Sequence, residues 1–247
     1  MHVTKLLAAA ITVFAVSGPV RAADLPTTKG PPDFAPPPLF TWTGQYFGVN
    51  GGGAFGRTNE FDFTAFGTMA HHDVGGGFAG GTSGYNYQIG SIVLGMLGDA
   101  DWASVAGSTS CPTPTLTCST HAYYLGSSRV RIGYAVDRVL IYATGGLGSA
   151  DLKYRTFTSA TGADANAPYS AWEFGYVFGG GIEYALDNNW SVKAEYLYYG
   201  FGTSSAPAGT LSGGSNTALR TDIQTIKVGL NYKFDLLGFL IPSVAKY

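Results

Sequence analysis

Charge is scarce in this 247-residue sequence: Asp, Glu, Lys and Arg together make up 12% of it. The 14 basic residues are outnumbered by 16 acidic ones, which excludes a basic surface of the kind that holds nucleic acid. Beyond the first residues, no run of about 20 consecutive apolar residues occurs, so no helix is expected to cross a membrane. Cysteine is limited to Cys111 and Cys118. Ser119 lies close to His121, and Asp99 to Asp101, but without a spacing that marks a catalytic set. The glycine run Gly51-Gly52-Gly53 lies in a strand pattern rather than before a helix, which removes a phosphate loop. The 13 residues after Phe234 hold no peptidoglycan-binding domain.

What is abundant is glycine, with 36 residues, and aromatics, at 14%. The chain opens with secretory features. Met1 to Lys5 is a basic start, Leu6 to Val16 an apolar run too short for a bilayer, and Ser17 to Ala23 a small-residue region. Val20-Arg21-Ala22 fits a cleavage site, so residues 1–22 are expected to be removed and the mature chain to begin near Ala23. Removing Lys5 and Arg21 leaves 12 basic against 16 acidic residues, a net charge of about −4. Residues 23–41 hold six of the 12 prolines and predict an extended periplasmic linker.

The rest of the chain is organised around Trp172 to Gly200. Tyr176, Phe178, Ile182, Tyr184, Trp190, Val192, Tyr196 and Tyr198 recur at every second position. Gly175, Gly179, Gly181, Glu183, Ser191, Lys193 and Glu195 occupy the other parity. Asp187-Asn188-Asn189 separates the two runs as a tight turn. The same alternation recurs from Gln45 to Phe55, Gly77 to Ile89, Ile92 to Trp102, Ala122 to Val136, Val139 to Asp151 and Thr221 to Phe234. Gly90-Ser91 and Asp137-Arg138 are short turns. Residues 57–73, 103–120, 153–170 and 201–220 are expected to be long loops.

Eight strands of roughly 10 to 14 residues, joined alternately by short turns and long loops, predict an all-β fold. A soluble sandwich would leave its glycine-rich face bare to water. An eight-stranded antiparallel up-and-down transmembrane β-barrel over residues 42–234 accounts for both faces: lipid takes the aromatics, and glycines let a narrow interior close. Residues 235–247 form a C-terminal extension. Trp102, Trp172, Tyr184, Trp190, Tyr232 and Phe234 fall where aromatic girdles belong, near strand ends.

Asp99, Arg129, Arg131, Glu183, Lys193, Glu195 and Lys227 share the inward parity at mid-strand heights. Charges of both signs in a small lumen predict a paired network, with Glu183 opposite Lys193 across the turn. Such a network either gates a narrow pore or plugs the lumen; the interior of eight strands is just wide enough for side chains, which favours the plug. Two cysteines in one loop of an exported chain predict a Cys111–Cys118 disulfide. With His121 alone nearby, they make an incomplete metal set, and no cofactor is expected.

The blocks WTGQYFGVN (Trp42 to Asn50), GYNYQ (Gly84 to Gln88), RVRIGYAVDR (Arg129 to Arg138), YATGGL (Tyr142 to Leu147), GGGIEYAL (Gly179 to Leu186), NWSVKAEYLYYGFG (Asn189 to Gly202) and KVGLNYKF (Lys227 to Phe234) carry a resemblance. The chain resembles the alphaproteobacterial outer-membrane β-barrel proteins that include major surface antigens, related in fold to the OmpA-type transmembrane barrel. Leu97 departs from the family pattern, which often has Glu there. Family chains commonly end at the aromatic matching Phe234, whereas Asp235 to Tyr247 follow here. The resemblance implies a non-enzymatic, structural and surface-exposed envelope role in the Gram-negative outer membrane. Outer-membrane lipid, lipopolysaccharide and the barrel-assembly machinery are the implied partners, with an extracellular ligand possible through the outer loops. The alternative is a small porin or a haem-binding or uptake protein, for which His71-His72, expected in an outer loop, are the candidates; solvated loop histidines are the plainer reading.

Overall fold

The computed structural model describes residues 40–62, 69–211 and 216–234. The leader, most of the Pro-rich segment and the C-terminal extension lie outside the described residues.

Eight strands follow in order: β1 (Gly44–Asp62), β2 (Met69–Ile89), β3 (Ile92–Ser110), β4 (Leu116–Val136), β5 (Val139–Thr158), β6 (Tyr169–Ala185), β7 (Trp190–Ala206) and β8 (Thr217–Phe234). Each pairs antiparallel with its sequence neighbours, and β8 returns to β1, closing the barrel. The seam runs from Gln45↔Phe234 to Asp62↔Thr217. Closure gives every strand two partners, so no edge is left for which hydrocarbon could offer no hydrogen bond.

The alternation works as the sequence predicts. Val49, Met96, Trp102, Val130, Leu147, Phe174 and Val228 point outward and are exposed, while Leu97, Leu125, Leu140 and Leu197 at the other parity are buried. Glycine at inward positions is a steric requirement. A Cβ added to Gly52 would overlap the Ile226 carbonyl oxygen, and one added to Gly76 would overlap that of Ser104. The outward Gly77 faces no such obstacle: its nearest atom, the Gly52 carbonyl oxygen, would be 3.7 Å away. The short turns are two-residue hairpins whose first residues, Gly90 and Asp137, take left-handed φ values of 59° and 49°.

The strands are 17 to 21 residues long, longer than the alternation predicts. Much of the expected loops at 57–73, 103–120, 153–170 and 201–220 is strand. These ends rise beyond the lipid-facing band, where both faces meet polar surroundings and the apolar alternation that marks a strand is lost. Three register irregularities, at Trp102/Val105, Ala122/Tyr124 and Gly200/Thr203, fall where the strands leave the band. In the outer girdle, Trp102 consequently lies well inside β3 rather than near its end, whereas Trp172 is near the start of β6, as expected. Trp102 pairs with Tyr124, whose ring lies 5.3 Å from that of Trp172. The other girdle is at the strand ends: Trp190 meets Tyr232 at 4.8 Å, Tyr232 meets Phe234 at 4.7 Å, and Tyr184 lies on the same side, at the β6 end.

Gly52→Ala is expected to destabilise the folded barrel by roughly 1–3 kcal/mol, as overpacking does, and so to lower its urea midpoint. Gly77→Ala should leave it unchanged or slightly raised. Both are read from the heat-modifiable band on gels.

Candidate functional site: a sealed lumen

Strand alternation brings the inward charges into one layer. Arg129 on β4 donates from Nη1 and Nη2 to the two carboxylate oxygens of Glu195 on β7, at 2.9 and 3.1 Å, and also bonds Asp99 on β3. Its Nε donates to Ser127 Oγ at 3.0 Å, and that hydroxyl donates to Asp99 at 3.1 Å. Lys227 on β8 reaches Asp101 at 2.9 Å and Asp99 at 3.3 Å. Lys193 lies 3.9 Å from Asp99 and donates to Thr82 at 3.4 Å. All of these side chains are essentially inaccessible.

The expected Glu183–Lys193 pair is corrected in part. The two residues do face each other in the ladder, but Glu183 takes other partners. Its Oε2 accepts from Arg131 at 2.9 Å, and its Oε1 accepts from Ser191 at 2.6 Å and Asn231 at 2.7 Å. The Arg131 guanidinium is planar and fits between the rings of Tyr46 and Tyr142, 5.1 and 5.0 Å from their centroids. A lysine ammonium cannot make that sandwich while also donating to Glu183 and to Asn86 Oδ1, as Arg131 does at 2.9 Å each, so Lys193 is left to Asp99.

Strand parity puts Asp101, Asn86, Ser191 and Asn231 on the inward side, but sequence reasoning left them and the two tyrosines out of the network. Asp101 carried a readable sign, being two residues from Asp99 at the same parity. With it, Arg129, Arg131, Lys193 and Lys227 face Asp99, Asp101, Glu183 and Glu195, four charges of each sign. Leu97, the departure from the family pattern, is buried beside this layer and adds no charge.

Apolar layers close the network on both sides. Toward the long-loop end, Leu125, Ala150, Val177, Leu197, Tyr199, Phe201 and Ile223 form one buried cluster. Toward the short-turn end, Trp42 packs with Val93, Ala135, Leu140, Tyr142 and Ala185. Its backbone N–H donates to Gln88 Oε1 at 2.8 Å. Phe40 beside it lies under the Lys233 and Arg138 cations, at 4.9 and 5.8 Å. Phe40 and Trp42 are therefore drawn into the barrel mouth. Buried side chains thus occupy the lumen at all three of these levels.

The remaining expected sites lie toward the outer end. Cys111 and Cys118 are bonded to each other at the tip of the β3–β4 hairpin, packed with Ala70 and Leu116. His71 and His72 are not in a loop: both are in β2, so they point to opposite sides of the wall. His71 is exposed, and His72 is buried with Nε2 3.0 Å from Thr120 Oγ1. Burial holds the His72 ring below the usual histidine range.

Residues 32–234 match the family described as outer membrane protein beta-barrel domain. The chain belongs to this family. It is accordingly an outer-membrane β-barrel protein, and the lipid-facing band is its membrane belt. It is 36% identical over 248 residues to the 31 kDa outer-membrane immunogenic protein of Brucella melitensis, covering 93% of this chain and 98% of that one. The 22 kDa outer membrane protein of Rhizobium leguminosarum is 28% identical over 200 residues, 80% of each chain. Among solved structures, the outer membrane protein OprG from Pseudomonas aeruginosa superposes with a TM-score of 0.51 over 78% of this chain and 97% of its own, at 12% identity. That likeness shows the fold alone.

A double-mutant cycle on Arg131→Met and Glu183→Gln should return strong coupling, because each single change strands a buried charge at a cost of roughly 3–5 kcal/mol. The cycle on Glu183→Gln and Lys193→Met should show clearly weaker coupling, since the two face each other without a direct bond. Equal coupling in the two cycles would contradict the partner assignment.

Proposed function

We propose that the protein is a structural, surface-displaying element of the envelope whose lumen does not conduct. One observation carries this reading: four cationic and four anionic side chains neutralise one another inside the lumen, between two apolar layers. A water-filled path would instead solvate these charges and leave the apolar layers wet. The membrane-spanning wall is thus used for anchorage, and the extended outer hairpins are what the protein presents. The Brucella relative's name as an outer-membrane immunogenic protein supports exposure of that end. Neither relative's name describes a reaction, and no catalytic role is proposed.

Outer-membrane lipid and lipopolysaccharide are the proposed surroundings of the belt, and the barrel-assembly machinery its proposed partner in biogenesis. The haem reading finds no support in geometry. Neighbouring strand residues face opposite ways, so His71 and His72 cannot present two imidazoles to one iron.

Refolded protein that passes a heat-modifiability gel should leave a planar lipid bilayer electrically silent. Regular single-channel steps from such a sample would overturn the proposal and make the charged layer a gate.

A further inference from the structure

The barrel wall is not laddered to the same height all round. Between β6 and β7 the ladder stops at Gly175↔Phe201. On its other side β6 stays paired with β5 up to Tyr154↔Tyr169, and β7 stays paired with β8 up to Ala206↔Thr217. Residues 169–174 and 202–206 therefore rise side by side without a ladder between them. Each stretch is the free edge of an otherwise intact sheet.

A shorter interruption lies between β2 and β3, whose ladder ends at Gly75↔Ala106. It begins four residues past Trp102, beyond the belt, and it is covered. Ala70 packs on the Cys111–Cys118 disulfide, and His72 reaches Thr120 at 3.0 Å. The β6–β7 gap begins on the membrane side of its girdle residue. Gly175 is three residues nearer the membrane centre than Trp172, and between them Phe174 points outward and is exposed. Unladdered backbone is disfavoured in hydrocarbon, which makes this the weak place in the wall.

Little crosses the gap. Ser204 on β7 donates to Glu173 Oε1 on β6 at 2.7 Å. Tyr154 on β5 donates to the same oxygen at 3.0 Å and so fixes Glu173 to its own side. Higher up, Asn166 Nδ2 donates to the Leu211 carbonyl at 2.9 Å, joining the β5–β6 and β7–β8 loops. The remaining contact is apolar: Tyr154 and Val177 on one side share a buried cluster with Tyr199, Phe201, Ala206 and Leu211 on the other. At the foot the backbones are close, since a Cβ on Gly175 would overlap the Gly200 carbonyl oxygen. Just above it, a Cβ on Gly202 would meet nothing within 4 Å. The β7–β8 register slips at Gly200/Thr203, the kind of irregularity that bends a strand.

We propose that the outer half of the β6–β7 seam is a side gate: the wall parts above Gly175↔Phe201 when the Ser204–Glu173 bond is released, and the outer apolar layer then faces the surrounding lipid. The two flaps are sheets in their own right, β5 with β6 and β7 with β8, so parting breaks no ladder bond. Separating their apolar surfaces into water would be opposed by the hydrophobic effect. Separating them into lipid is not, because acyl chains replace one apolar neighbour with another. The gate therefore opens sideways into the membrane rather than upward into water. Glu173, next to the girdle residue Trp172, stands where headgroups and water can solvate a carboxylate released by Ser204. The ion pairs of the charged layer lie below the foot of the gate and stay in place.

The unaltered mature chain in phospholipid nanodiscs supplies the first two tests. In hydrogen exchange, residues 169–174 and 202–206 should exchange about tenfold faster than the stretches of β5 and β8 that pair with them. Equal protection would overturn the gate. A diazirine carried on the phospholipid acyl chain should label the buried Val177, Tyr199 or Phe201 in addition to the outward Phe174 and Tyr176. Labelling confined to outward residues would overturn it as well. Ser204→Ala, shown folded by heat modifiability, should raise exchange across the gap roughly fivefold, the effect of one lost hydrogen bond, and raise inward labelling with it. Ser205→Ala, at the next position on the same strand, should change neither. A Ser204→Ala protein indistinguishable from Ser205→Ala would remove the latch and the proposal with it.

Discussion

Everything in this molecule follows from the need to hydrogen-bond a backbone where there is no water. Inside hydrocarbon an unpaired N–H or C=O costs several kcal/mol, and a sheet escapes that cost only by closing. The β1–β8 seam is therefore the central contact. Closure at eight strands fixes a narrow bore, and the narrow bore dictates the inward residues. Glycine is required where neighbouring backbones crowd, as at Gly52 and Gly76. Elsewhere inward side chains occupy the bore, the interior of eight strands being just wide enough for them.

The filling has a physical logic of its own. Ion pairs buried this deeply seldom stabilise a fold relative to apolar residues of the same shape. What they supply here is connectivity. Asp99 and Asp101 on β3, Arg129 and Arg131 on β4, Glu183 on β6, Lys193 and Glu195 on β7 and Lys227 on β8 are linked by direct bonds. Tyr46 on β1, Asn86 and Thr82 on β2 and Tyr142 on β5 join through ring, amide and hydroxyl contacts. One layer thereby touches all eight strands. A one-residue slip of any strand would turn its charged or polar member of the layer toward lipid, so the layer fixes register around the whole circumference.

The fold was legible in the sequence because lipid imposes a strict period of two on the belt. Tyr176, Phe178, Ile182 and Tyr184 could be read as one face without any knowledge of their neighbours. The same rule failed above the belt, where residues such as Thr117, Ser119 and His121 form strand with water on their outer side and carry no apolar mark. Inward parity likewise identified Glu183, Lys193 and Glu195 correctly as lumen residues. It could not choose their partners, because that choice is made across the bore. Arg131 reaches Glu183 over a separation of 52 residues, and the planarity of its guanidinium between two tyrosine rings, rather than proximity in the ladder, decides the pairing.

The Trp42 anchor has a consequence for the order of assembly. Its socket is built by Val93, Ala135, Leu140, Tyr142 and Ala185, residues of β3, β4, β5 and β6. None of these strands is hydrogen-bonded to β1, the strand Trp42 leads into. The socket is complete only when β6 has taken its place, long after residue 42 has left the ribosome. Trp42, with Phe40 beside it, is thus among the first barrel-proximal aromatics to be made and among the last that can dock. Its indole serves as a latch that records a finished cylinder, turning the nascent chain's earliest segment into the closing act of its folding.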